Sequence, residues 1–255
     1  MNENPLGTKK VSTLLREFAI PSIIATLVSS LYNIVDQIFI GQGVGYLGNA
    51  ATNVSYPLST ICLAIALLLG IGSAARFSLS LGRGEPEQAA RIAGNGIALM
   101  ALFGTIYLVV GELFLTPLLK IFGATSQILP YAQQYAGITL IGMPFLILTN
   151  GICNLIRADG SPKYSMLCMV SGAIVNTILD PLFIFGFDWG IFGAALATIL
   201  GQFLSFFMAL RYLWKFKHIH FTRKYLKLDF RDGLTTMYMG TSSCMNQLAI
   251  TVVQI

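Results

Sequence analysis

The chain has 255 residues, of which 55% are hydrophobic and 11% charged, whereas an average soluble domain has about 25% charged residues. Its apolar residues fall in long continuous blocks, which excludes a soluble globular domain and a β-barrel built of short alternating strands. The net charge of +5 does not indicate nucleic acid binding, because the cations are confined to alternate connections between the blocks.

Seven blocks reach the roughly 20 apolar residues that a helix needs to cross a bilayer. In chain order, and numbered here as predicted helices 1 to 7, they are 18–40, 54–81, 92–115, 135–156, 164–187, 191–210 and 234–255. The sequence therefore predicts an all-α fold, a polytopic membrane bundle of helices.

The distribution of Lys and Arg predicts the orientation of this bundle. All of them except Lys120 lie at the N-terminus or in the second, fourth and sixth connections. By the positive-inside rule these segments are cytoplasmic, which places the protein in the cell (inner) membrane with a cytoplasmic N-terminus. We expect the basic sixth connection to meet anionic headgroups of the membrane lipids.

Helix 7 reaches the last residue of the sequence without a polar flank, and many transporters consist of two related halves. We therefore expect three parts: a six-helix transmembrane lobe (1–214), a basic cytoplasmic inter-lobe loop (215–232), and a partial seventh helix (233–255). That last helix would begin a C-terminal lobe, which would be the partner of this one.

Four ionisable residues fall within the predicted spans, where such residues are costly and by default functional. Arg76 lies near the inner end of helix 2 and can reach the interface, and Glu112 lies near the outer end of helix 3. The remaining two, Asp36 and Asp180, lie deeper. The four cysteines contain no CxxC pair and do not indicate a metal site. The only metal ion that the two acids suggest is Na⁺.

Helix geometry predicts that Asp36, Asp180 and Thr198 lie at one depth, roughly 6–11 Å below the outer boundary. Asn176 precedes Asp180 by four residues and therefore shares its helix face. Pro181 removes a backbone hydrogen bond and favours a bend there. Carboxylate, amide and carbonyl oxygens suit H⁺ or Na⁺. The alternative is that each Asp only fixes packing by hydrogen bonding across helices.

Three stretches resemble helices 1, 5 and 6 of the multidrug and toxic compound extrusion (MATE) transporters: YNIVDQIFIG at 32–41, NTILDP at 176–181 and GAALAT at 193–198. The short inner loops GRG at 82–84 and RADG at 157–160 are also similar. The resemblance implies two six-helix lobes around a central cleft. It also implies export of cationic or amphipathic drugs in exchange for H⁺ or Na⁺, without another cofactor.

The resemblance carries over to particular residues. The cation site of the family matches Asp36, Asn176, Asp180 and Thr198. The backbone carbonyl of Ala194 is a further cation ligand, and Tyr32 is in a hydrogen-bonding position beside them. Pro21 matches a helix 1 proline at which bending accompanies the ion cycle in some members. For the drug cleft, helix 4 offers Met143, Phe145 and Asn150.

Two other functions remain open. A flippase for lipid-linked precursors has a related fold, but its phosphate-bearing substrates would favour Lys or Arg within the cleft. The other alternative is a channel or a non-transporting membrane subunit. A channel would show a pore motif or ring-forming repeats, and none is visible in the sequence. An enzyme is not expected, because both histidines lie in one basic loop and no catalytic set can be assembled.

Overall fold

The computed structural model describes residues 10–254, and every regular element in this range is helical. The long helices are α1 (Val11–Gly43), α2 (Tyr46–Gly82), α3 (Pro86–Leu113), α4 (Leu129–Ala158), α5 (Pro162–Pro181), α6 (Gly190–Tyr212) and α7 (Phe230–Gln254). A short helix, Leu115–Ile121, follows α3. A π-helical turn, Leu182–Gly186, continues α5, and 3₁₀ turns at Leu213–Lys215 and Arg223–Tyr225 lie between α6 and α7. The prediction for the N-terminus falls on residues 1–9, outside this range.

The six helices α1 to α6 are long and apolar enough to cross a membrane, with mean hydropathies from 1.7 to 2.2. The predicted all-α membrane bundle is therefore confirmed. Two of the turns between them have the same construction: Gly84 and Gly160 adopt positive φ angles of 76° and 78°. Pro86 and Pro162 then begin the next helices, where a missing N–H costs no hydrogen bond.

Two buried clusters mark the two ends of the bundle. One joins Phe77, Ala90, Ile156 and Tyr212, where α2, α4 and α6 end and α3 begins. We call it the basic end, because the basic connections lie there. The other joins Ala51, Leu119, Ala132 and Ile191, at the starts of α2, α4 and α6. The helices therefore alternate in direction, as the charge pattern predicted.

The segment between α6 and α7 is docked on the basic end. Asp159, with 0% of its surface exposed, accepts hydrogen bonds from the Tyr212 hydroxyl (2.8 Å) and from the backbone N–H groups of Lys217 (2.8 Å) and His218 (3.2 Å). The His218 ring also meets this carboxylate, with Nδ1 3.0 Å from Oδ1. One buried acid thus fixes the beginning of the predicted inter-lobe loop.

The position of α5 determines where the predicted site residues lie. This helix packs against α1 on one side and α6 on the other. Its inward face carries Asn176 and Asp180, which are both buried. Side chains from α1, α5 and α6 can therefore meet within the bundle.

Candidate cation-binding site

A buried cluster of polar side chains occupies the junction of α1, α5 and α6. Asp36, Asn176 and Asp180 are 6%, 3% and 0% exposed. Thr198, on α6, is partly buried beside them. The structure thus brings together the three side chains that the sequence placed at one depth, Asp36, Asp180 and Thr198, with Asn176 from the same face of α5.

Hydrogen bonds connect the cluster across the helices. The Asn176 amide donates to Asp180 Oδ1 at 3.3 Å and to the Thr198 hydroxyl at 3.4 Å. Thr198 in turn donates to the carbonyl of Ala194 at 3.1 Å. The carboxyl groups of Asp36 and Asp180 are neighbours in this cluster. They can pair directly only when one of them carries a proton.

Three oxygen atoms of the cluster receive no hydrogen bond from any described residue: Asp36 Oδ1, Asn176 Oδ1 and Asp180 Oδ2. A buried polar atom left unpaired costs about 1–3 kcal/mol, and proteins rarely keep such atoms without a reason. All three are hard oxygen donors. Together they offer ligands for a proton or for a small hard cation.

Pro181 lies at a change of helix type. The chain is α-helical through Pro181 and then continues in the π-helical turn, where the Phe187 N–H donates to the Leu182 carbonyl at 3.0 Å. Such a turn inserts an extra residue per turn and is common at functional sites. Pro21, in contrast, is buried within the continuous α1, so bending at Pro21 during an ion cycle stays a prediction.

Tyr135 is a member of the site that sequence reasoning missed. It lies in the second turn of α4, packs against the Ile40 and Ala194 cluster, and has Thr198 and Asp36 nearby. It lies six residues, about 9 Å along the axis, from the start of α4. Tyr32 faces the same region, near Asp36 and Asp180.

A cavity of about 300 Å³ adjoins the cluster. Side chains of α1, α2, α4, α5 and α6 surround it, and those that line it include Tyr32, Thr149, Asn150, Asn176, Thr198 and Gln202. None of its described lining residues is charged. Thr149 Oγ1 and Gln202 Oε1, like Asn176 Oδ1, receive no hydrogen bond from the described residues. The cavity is therefore polar but neutral.

The three helix 4 residues predicted for a drug cleft have different surroundings. Asn150 lines the cavity. Met143, 2% exposed, lies in the core with Cys62, whose thiol donates to its carbonyl at 3.6 Å. Phe145 packs its ring on Phe203 of α6, with ring centroids 4.1 Å apart. Neither Met143 nor Phe145 lines the cavity.

Comparison with known proteins identifies relatives for nearly the whole chain. The MatE family profile matches residues 21–182. The chain is 25% identical over its full length to the probable multidrug resistance protein YoeA of Bacillus subtilis, of which it covers 58%. It is 30% identical over 188 residues to the multidrug export protein MepA of Staphylococcus aureus, a match that covers 74% of this chain and 42% of MepA.

A solved structure agrees with the fold. The MATE multidrug transporter DinF-BH matches with a TM-score of 0.91 and 31% identity, over 99% of this chain and 56% of that one. The chain thus spans about half the length of the relatives it matches. The profile match, the relatives and the fold agree, and the chain belongs to the MATE family of transporters.

Proposed function

We propose that the chain forms the N-terminal lobe of a secondary active exporter of cationic or amphipathic drugs. In this proposal Asp36, Asn176, Asp180 and Thr198 bind the H⁺ or Na⁺ whose entry drives export. The observation that carries the proposal is the set of unpaired, buried oxygens on Asp36, Asn176 and Asp180. A bound cation or proton would satisfy them.

The contact between Asp36 and Asp180 supports ion coupling. Two adjacent carboxyl groups in a medium of low dielectric constant resist simultaneous ionisation, so a proton or a cation must accompany them. Loading from the outside and release inside would move one charge through the membrane potential. That charge gains roughly 2.3 kcal/mol per 100 mV, enough to sustain a gradient of an uncharged amphipathic drug on the order of 40-fold.

The neutral cavity supports a cationic or amphipathic substrate. Its lining contains amides, hydroxyls and apolar side chains but no Lys or Arg among the described residues. A phosphate group would be left there without the cations that usually bind it. The cavity therefore favours drug export over the lipid-precursor flippase, and we keep Asn150 as a candidate drug contact.

We also propose that the basic end faces the cytoplasm of the cell that carries the protein. The exposed cations Lys163, Arg211, Lys215 and Lys224 lie at this end or follow it in the docked segment. Anionic lipids of the inner leaflet would attract them. This orientation puts Asp36 and Asp180 in the outer half of the membrane, on the side from which the driving ion enters.

The first test is export in cells. We expect the full-length protein to lower ethidium accumulation in a drug-hypersensitive host, compared with the empty vector. Immunoblotting of the membrane fraction confirms that the protein is present. Unchanged ethidium accumulation, with the protein in the membrane, would reject drug export.

A further inference from the structure

The sequence position of Arg76 suggested a side chain that can reach the interface, and in the structure this side chain binds α7. Its side chain is 12% exposed, and its guanidinium group binds the beginning of α7. Nη1 donates to the Asp232 carbonyl at 2.6 Å and to the Thr236 hydroxyl at 3.1 Å, while Nη2 meets Asp232 Oδ1 at 2.8 Å. One arginine of α2 thus makes three hydrogen bonds to two residues of α7.

Next to this ion pair, the backbones of α2 and α7 come into direct contact. Gly72 lies against the carbonyl of Thr236, and Gly240 lies against the carbonyl of Leu68. A Cβ atom on either glycine would overlap the facing carbonyl oxygen. Small residues allow such close packing of membrane helices. The contact therefore depends on complementary backbone surfaces at two levels.

This contact, called here the α2–α7 seam, differs from the helix–helix interfaces inside the six-helix bundle. Between α2 and α4, large buried side chains such as Leu69 and Ile147 interlock in one core cluster. Among the described hydrophobic side chains of α7, only Met237 packs against a core cluster, and Gly233 lies beside Leu99 of the same cluster. Asp232, the acid of the ion pair, keeps half of its side chain exposed. The α2–α7 seam can thus separate without opening the core.

We infer that the face of α2 formed by Leu68, Gly72 and Arg76 is a reversible docking surface for α7, which closes the basic end of the transporter. This inference rests on the proposed export function, because an ion-driven exporter must open to each side in turn. The Arg76–Asp232 pair stabilises the closed arrangement, and its separation accompanies opening of the basic end.

The test measures the exposure of a thiol under the contact. Thr236, 2% exposed, is changed to Cys in the full-length protein with its native cysteines replaced. A membrane-impermeant maleimide is then applied from the basic side of the membrane. We expect Arg76→Gln to raise the labelling rate about fivefold, the effect of losing one partly buried ion pair on a two-state equilibrium. The double variant Arg76→Asp with Asp232→Arg should lower the rate again.

Two controls separate opening of the seam from other effects. Glu87→Gln removes the exposed Arg91–Glu87 pair, which lies within α3 and joins no helices, and should leave labelling unchanged. A second protein retains only Cys62, which is fully buried in the core. Cys62 should stay unlabelled in Arg76→Gln, whereas general loosening of the lobe would expose it. Unchanged labelling of Thr236→Cys in Arg76→Gln would overturn the inference, and so would labelling of Cys62.

A cross-link distinguishes a reversible contact from a permanent one. In the double variant Arg76→Cys with Asp232→Cys, joining the two thiols with a short bifunctional reagent should stop dye export. With a cleavable reagent, reduction should restore export. Normal export by the cross-linked protein would show that the seam never opens. If the parent protein, with Arg76 and Asp232 intact, exports no dye, the proposed function fails, and the thiol labelling still tests the docking surface.

Discussion

At the residue scale, Asn176 and Thr198 are the neutral members of the candidate cation site. Each contributes one or two hydrogen bonds of 3.1–3.4 Å to the cluster. Asn176→Ala and Thr198→Ala should each weaken apparent affinity for the coupling ion about fivefold, because a neutral hydrogen bond contributes about 1 kcal/mol. The ion-concentration dependence of dye efflux measures this affinity. Thr198→Ser keeps the hydroxyl and should retain the parent's affinity, and a loss equal to that of Thr198→Ala would contradict the assignment.

The sequence predicted part of the site for a physical reason. Charged residues are so costly within a bilayer that Asp36 and Asp180 stand out at once, and helix geometry gives their depth. Neutral polar residues such as Thr149 and Gln202 carry no such signal. Whether they face a cavity depends on the rotation of their helices, which is set by packing against neighbours. Tyr135 is the first residue of the predicted block 135–156, so the depth argument placed it at the boundary rather than beside the aspartates.

At the element scale, Asp159 fixes the segment after α6. Asp159→Ala would leave the Tyr212 hydroxyl and two backbone N–H groups without their acceptor. We expect the free energy of unfolding to fall by roughly 3 kcal/mol, since each buried donor left unpaired costs about 1–3 kcal/mol. Thermal unfolding of the purified protein should therefore occur at a lower temperature. Glu85→Ala, which removes an exposed acid at the same end of the bundle, should unfold like the parent, and so would Asp159→Ala if the segment were loosely attached.

Helix existence was predictable, whereas helix ends and the docked segment were not. The apolar blocks mark only the part of each helix within the hydrocarbon. Consequently α1 begins at Val11 and α2 at Tyr46, seven and eight residues before the predicted blocks 18–40 and 54–81. The segment between α6 and α7 looked like a basic loop because its cations dominate its composition. Its anchor, Asp159, is distant in sequence, and such contacts leave no local pattern.

At the scale of the whole molecule, the alternation of the helices gives each connection a side. Ser126, in the exposed connection before α4, lies at the end opposite to the basic end, and Thr222 lies in the docked segment. In intact cells, an impermeant thiol reagent should label Ser126→Cys and miss Thr222→Cys until the membrane is permeabilised. Labelling of Thr222→Cys alone would reverse the proposed orientation.

The central claim is that Asp36 and Asp180 couple the entry of an ion to the export of a drug. The most direct measurement is dye efflux from proteoliposomes containing the purified full-length protein, driven by an imposed pH or Na⁺ gradient. Asp36→Asn and Asp180→Asn should each abolish gradient-driven efflux while unfolding at the parent's temperature, because Asn keeps the shape and hydrogen bonding but cannot carry the charge or release a proton. Glu112 is exposed near the end of α3 that lies away from the basic end, and Glu112→Gln should pump normally. If both Asn variants pump at the parent's rate and Glu112→Gln does not, the assignment of the coupling carboxylates is wrong. If the Asn variants fail only because they misfold, the two aspartates serve packing.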